Sequence, residues 1–179
     1  MQTLETKRLR LRLFTLSDLD DFYAYASVPG VGEMAGWPHH QDIETSRKIL
    51  EGFIKDGDVY AIEEKKTGRV IGSLGLHDRN EADGKQSREV GYVLAKSHWK
   101  QGLMTEAVNR VVAHAFETLG YDYLTCAHFA HNDASRRVIE KTGFVFEKEK
   151  EYHAKLLDKT FLSRCYRLTR ERHLTGKSR

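Results

Sequence analysis

Only two cysteines occur in the 179 residues, Cys126 and Cys165, and neither shows CxxC or Cys/His finger spacing. That excludes a disulfide framework and leaves both as buried thiols that behave like small hydrophobic groups. No apolar run approaches the roughly 18 residues that a bilayer-spanning helix needs. The N-terminus carries no positive segment followed by an apolar one, so export is not expected and a cytoplasmic location is. A block of one charge sign is also missing: 29 Lys and Arg are interleaved with 26 Asp and Glu, for a net charge of +3. A clustered basic face is what direct nucleic-acid binding requires, and neither it nor a membrane-surface patch is expected here. Nine histidines are present, but His39-His40 and His128 with His131 are the close pairs, and neither has a third ligand at metal-site spacing. No metal is expected. GxGxxG and GK[ST] are absent as well, which removes the dinucleotide fingerprint and the P-loop.

What remains is ordinary globular material, 40% hydrophobic and 31% charged, with no repeat, low-complexity tract or linker. One domain over residues 1–179 is expected, with 170–179 as a frayed basic tail. Residues 7–14 alternate Leu9, Leu11 and Leu13 against Arg8, Arg10 and Arg12, the period of a half-buried strand. A helix follows, capped by Ser17 with acids in its first turn and closed by Pro29-Gly30. Residues 31–40 read as a loop, 42–55 as a second helix, and 59–63 with 69–76 as a hairpin. A polar loop at 78–84 leads to a strand over 88–94. From Leu103, apolar residues at Ala107, Val108, Val111, Val112, Ala115, Phe116 and Leu119 form a helical stripe ended by Gly120. A strand over 121–129, a short helix over 133–142, and strands over 144–150 and 160–168 complete a mixed α/β chain.

The segment 98–107 carries the chemistry. Trp99-Lys100-Gln101-Gly102-Leu103-Met104-Thr105 places a glycine where the chain enters its best-defined helix. Unpaired amides and the helix dipole favour an anion there, and Gly102 lets the backbone approach one without obstruction. A plain helix start after a tight turn accounts for this segment equally well when it is taken alone.

Together with Glu89-Val90-Gly91-Tyr92-Val93-Leu94 before it, and Asn132-Asp133-Ala134-Ser135 and Gly143-Phe144 after it, the segment resembles the GNAT superfamily of N-acetyltransferases. The branch that acetylates ribosomal-protein N-termini is the most similar, and Thr6-Lys7-Arg8-Leu9-Arg10-Leu11-Arg12 looks like its opening strand. The resemblance implies a mixed, mostly antiparallel sheet of six to seven strands, splayed between the fourth and fifth and flanked by about four helices. It implies acetyl-CoA as co-substrate, with Gln101, Gly102, Leu103, Met104 and Thr105 supplying amides to its pyrophosphate. Val93 and Leu94 would hold the pantetheine by main-chain bonds, with Asn132 adding a side-chain bond. Lys100 either contacts phosphate or is simply solvated, and Asn132 either bonds the cofactor or caps its helix. Met104 is bulkier than the family's usual residue at that position.

Acetyl transfer to an amine needs a base for the nitrogen and a proton for the departing thiolate. The resemblance assigns Glu89 as base and an amide near Val93 as oxyanion donor. Ile139 stands where many members carry a tyrosine acid, which leaves Ser135 as the alternative. The implied acceptor is a primary amine, either a protein N-terminus or a small molecule, served by a monomer or a homodimer. A non-catalytic acyl-CoA-binding module is the other reading. The loop containing Trp37, His39 and His40 either shapes the acceptor pocket or anchors itself on the core.

Overall fold

The computed structural model describes residues 1–78 and 83–176. Eight strands form one sheet: β1 (Leu4–Glu5), β2 (Leu9–Leu13), β3 (Val59–Glu64), β4 (Val70–Asp78), β5 (Ser87–Leu94), β6 (Tyr123–Phe129), β7 (Val145–Ala154) and β8 (Lys159–Thr169). Their order across the sheet is β1-β2-β3-β4-β5-β6-β8-β7. All neighbours run antiparallel except β5 and β6, which are parallel. A parallel pair needs a crossover, and α3 (Leu103–Glu117) supplies it. The other helices are α1 (Leu19–Ala26), α2 (Ile43–Asp56), α4 (Asp133–Lys141) and α5 (Arg170–Gly176).

The strands and helices expected from the alternation are all present, with β7 and β8 longer than read. β1, the eighth strand, is too short to announce itself, since its two residues form only against Leu11 and Arg10. Of the tail expected to fray, residues 177–179 lie outside the described residues, and residues 170–176 carry α5 instead. Arg170 anchors it by donating to the Phe116 carbonyl at 2.6 and 3.1 Å, where the end of α3 leaves oxygens unpaired. The polar loop expected at 78–84 falls partly on residues 79–82, outside the described residues.

Leu9, Leu11, Ile62, Leu74, Val90, Leu124 and Leu168 share one face of the sheet through the register and are buried, together with Ala107, Val111 and Ala115 of α3. Along β4 and β5 the even-numbered residues take this face, and odd-numbered ones the other. The opposite face is more polar. There Glu63, only 8% exposed, accepts from Arg10 (2.8 Å) and Arg12 (2.6 Å). Arg12 also grips Asp18 with both terminal nitrogens at 2.8 Å.

Asp18 corrects the expected cap of the first helix. A 3-10 turn over Leu16–Asp18 precedes α1, and the Asp18 carboxylate accepts from the Thr15 amide (2.8 Å) and hydroxyl (3.1 Å). Ser17 reaches only the Thr15 hydroxyl. Elsewhere, β7 is an edge strand reading VFEKEKEYHA, exposed along all but its last residue.

Burial pushes the Asp18 carboxyl up, but the Arg12 and Thr15 hydrogen bonds outweigh this and hold it below its ordinary value. Its stabilising effect is therefore full above the ordinary aspartate range and lost as pH falls through the lowered value. Asp18→Asn should cost about 2 kcal/mol in urea unfolding at neutral pH, from a half-buried Arg pair left unmatched. The difference from the parent should shrink as the titration is repeated at progressively lower pH.

Candidate active site

β5 and β6 pair over four residues each, Ser87 to Val90 against Tyr123 to Cys126, and then part. β5 runs on to Leu94 beside β4, and β6 runs on to Phe129 beside β8, leaving a wedge-shaped gap between them. Main-chain polar groups along β5 alternate sides. Ala95 donates to the Ile71 carbonyl at 2.7 Å, while Gln86 accepts from Asp122 on the β6 side at 2.9 Å. Odd-numbered residues therefore direct N–H and C=O to β4, and even-numbered ones to β6. Beyond Val90 the groups facing the gap belong to Tyr92 and Leu94. Val93, expected to offer main-chain bonds to a ligand, is paired with Ser73 on the β4 side.

At the end of β5 the chain turns sharply into α3. Trp99 folds back and donates its indole N–H to the Leu94 carbonyl at 2.8 Å. Lys100 (φ 61°) and Gly102 (φ 75°) are both left-handed, and α3 begins at Gly102 without any side-chain cap. The first-turn amides thus have no helical partner and no side chain covering them. Leu103 and Met104 are buried in the core, so the bulk of Met104 points away from this cradle. Lys100 is exposed, and the Gln101 side chain donates back to the Ser97 carbonyl at 3.1 Å.

The cradle is strapped to the first strands. Glu106, in the first turn of α3, accepts from the Thr6 hydroxyl (2.6 Å), the Arg8 amide (2.8 Å) and the Arg8 guanidinium (2.7 Å). Arg8 also donates to the Gln101 carbonyl at 3.0 Å, which brings a positive charge beside Gly102. Burial raises the Glu106 carboxyl, yet these three donors bring it below its ordinary value. Nothing in the local pattern around Gly102 announces Arg8, which is 98 positions from Glu106.

On the far side of the gap, Asn132 caps α4 by accepting from the Ser135 amide at 3.1 Å, and its amide nitrogen donates to the Met34 carbonyl at 3.3 Å. Of its two expected roles, capping is the one the structure displays. Met34 belongs to the loop over residues 31–40, which packs beside the end of β6: Gly36 lies against Phe129, Tyr152 and Ala154. His40 is buried and bonded to Ser46 at 2.6 Å, which makes it an anchor. His39 donates to Glu33 (2.7 Å to Nδ1). Burial works against ionisation of Glu33, but the hydrogen bonds from His39 and from neighbouring amides bring its carboxyl down to about 2. An ionised Glu33 thereby ties the loop together at all physiological pH values.

Ser135 makes a 2.9 Å hydroxyl–hydroxyl hydrogen bond with Tyr92, which also donates to the Ser135 carbonyl at 3.2 Å. Burial, the largest cause, pushes the Tyr92 phenol well above its ordinary value, so it stays protonated. Glu89 lies on the opposite face of the sheet from Tyr92, beside its cross-strand partner His77. Arg88, its chain neighbour, points the other way and pairs with Asp78 at 2.9 Å while lying over the Tyr121 ring. Both cysteines are free and buried. Among the described residues no cluster of three or more metal-ligating side chains occurs, and no helix is long and apolar enough to cross a membrane.

A parallel strand pair that opens midway, ending at an uncapped and glycine-led helix start, brings unpaired main-chain groups of β5 and α3 to one gap. Residues 8–145 match the acetyltransferase (GNAT) domain family, and the chain belongs to it. It is 32% identical over 146 residues to the uncharacterized N-acetyltransferase YoaA of Bacillus subtilis (strain 168), covering 79% of this chain and 81% of that one. Its fold is similar to a ribosomal-protein-S5-alanine acetyltransferase from Vibrio fischeri, with a TM-score of 0.77 and 18% identity over 96% of this chain and 98% of that one. It is similar also to spermidine N-acetyltransferase from Vibrio cholerae, solved with CoA and spermine, with a TM-score of 0.78 and 16% identity over 94% and 99% of the two chains.

Gly102 holds the left-handed backbone at the entrance to α3, with open space around its Cα apart from the Arg8 guanidinium. Gly102→Ala forces a Cβ into the left-handed region and should cost about 1 kcal/mol in thermal unfolding. The same variant should bind CoA more weakly by calorimetry, since the turn that presents the amides relaxes.

Proposed function

We propose that this acetyltransferase uses acetyl-CoA to acetylate a primary amine, with the pyrophosphate held on the amides of residues 101–105 and the pantetheine lying in the gap. The observation that carries this reading is the parting of β5 from β6 beside the uncapped start of α3. An extended pantetheine has amide groups of its own, and in the gap it would meet the main-chain groups of Tyr92 and Leu94 as a third strand would. Arg8 adds charge to the phosphate end, and Lys100 stands exposed beside it.

The two faces of the sheet then divide the chemistry. Glu89 faces away from α4, on the side where the amine enters, and takes a proton from the nitrogen. The Tyr92 amide is the oxyanion donor, since its N–H faces the gap. Ser135 is the proton donor to the thiolate, held in place by Tyr92. A tyrosine at position 139 is not required for this arrangement, and Ile139 is core.

The acceptor is a primary amine that is cheap to neutralise. An α-amine costs about 1 kcal/mol to deprotonate at pH 7, against about 4.6 for a lysine side chain. A protein N-terminus therefore suits a carboxylate base better than a lysine does. A small polyamine is the second acceptor class, favoured by the carboxylates of Glu89 and Asp58 on the entry face. A cytoplasmic site of action supplies both.

Glu89→Gln should lower kcat/KM about 100-fold in a thiol-release assay with an alanine-leading peptide or spermidine. CoA binding by calorimetry should be unchanged. Retention of full turnover by Glu89→Gln would remove Glu89 from the mechanism, and absence of turnover by the parent enzyme with a wide amine panel would favour a non-catalytic binding module.

A further inference from the structure

A second proton acceptor stands on the amine's face of the sheet. His77 lies on β4 directly across from Glu89, and its ring is folded back along its own strand. A Cβ at Gly75 would collide with the imidazole Nε2, and one at Gly91 would come within 3.3 Å of it. Gly75 and Gly91 are themselves cross-strand partners, so the ring lies over a paired glycine platform spanning β4 and β5. Gly91 is the first β5 residue past the last pairing with β6, and the platform is therefore at the mouth of the gap.

The ring is also oriented. Its Nδ1 lies 3.1 Å from the Asp58 carboxylate. An ionised carboxylate only accepts, so Nδ1 carries the proton, and in the neutral imidazole Nε2 is left with its lone pair over the platform. Asp58 is placed by the left-handed Gly57 that ends α2 (φ 66°), and its carbonyl is fixed by the Leu76 amide at 3.0 Å. Three elements thus converge to aim one nitrogen, which leads nowhere if the residue is mere surface.

Proton bookkeeping supplies a task. An ammonium and acetyl-CoA give an amide, CoA thiol and one free proton. The nitrogen loses two protons, one before it attacks the thioester carbon and one after the C–N bond forms. The thiolate gains one as the C–S bond breaks, and the surplus one must reach solvent. Glu89 accounts for a single acceptor.

We propose that His77, aimed by Asp58, is a catalytic base that takes the first proton from the incoming ammonium at Nε2 and releases it to solvent. Its side chain is 48% exposed, which opens the exit. This rests on the acetyltransferase reading above and adds a residue to it.

The test uses the full chain with acetyl-CoA and either an alanine-leading peptide or spermidine, whichever the parent enzyme turns over. His77→Ala should lower kcat about 100-fold, leave the KM for acetyl-CoA unchanged, and regain rate when imidazole is added to solution. Gly75→Ala, which keeps the histidine but pushes its ring away, should lose kcat without regaining it from imidazole. Thermal stabilisation by acetyl-CoA in both variants verifies that they fold. A His77→Ala enzyme with kcat within a few-fold of the parent overturns the proposal, as does a loss that imidazole leaves untouched. A parent enzyme inactive across the wide amine panel overturns the catalytic reading of the site itself, and this role with it.

Discussion

Everything in the site depends on one ladder that stops early. β5 and β6 are bonded from Ser87 and Tyr123 up to Val90 and Cys126, and then diverge. Polar backbone groups that lose a partner inside a protein need another, and those of Tyr92 and Leu94 turn into the gap. The Trp99 indole already satisfies part of this demand at the Leu94 carbonyl. The rest defines what the gap accepts: a thin, extended molecule able to bond on both edges.

The divergence holds because each strand is clamped from outside. β5 is pinned to β4 over seven residue pairs, and β6 to β8 over seven more. Across the gap, the Tyr92–Ser135 bond ties β5 to α4. The Asn132–Met34 bond ties α4 to the loop over residues 31–40. At the phosphate end, Glu106 binds α3 to Thr6 and Arg8. A rigid frame around a preformed opening spares the ordering cost that a flexible site would incur on binding.

Much of this was legible without coordinates. Leu9-Arg10-Leu11-Arg12-Leu13 announces a strand, the stripe from Leu103 announces α3, and Gly102 before it announces the uncapped turn. Motif order alone nominates Glu89 as the candidate base. Three things were not legible, each for a physical reason. The choice between Val93 and Tyr92 depends on which edge of β5 each residue turns to β4, a matter of pairing register. His77 gains meaning only from Gly75 and Gly91, the second of which comes from a neighbouring strand. Arg8 and Glu106 meet across nearly a hundred residues, a distance that no local pattern spans. The tail misleads because its basic composition reads as solvated, whereas Arg170 satisfies the Phe116 carbonyl at the end of α3.

The exposed edge strand β7 carries a consequence for assembly. Beyond its bulge, Lys148, Glu149, Lys150 and Glu151 alternate in sign. Two copies of this strand joined antiparallel about a two-fold axis must place residues of equal parity opposite one another, which sets lysine against lysine and glutamate against glutamate. In-register parallel joining does the same. Like charges in directly facing positions repel, so the strand is built to refuse its own copy. The sheet ends where the chain ends it, and any symmetric pairing of this enzyme is steered away from a continuous sheet toward its helices and loops.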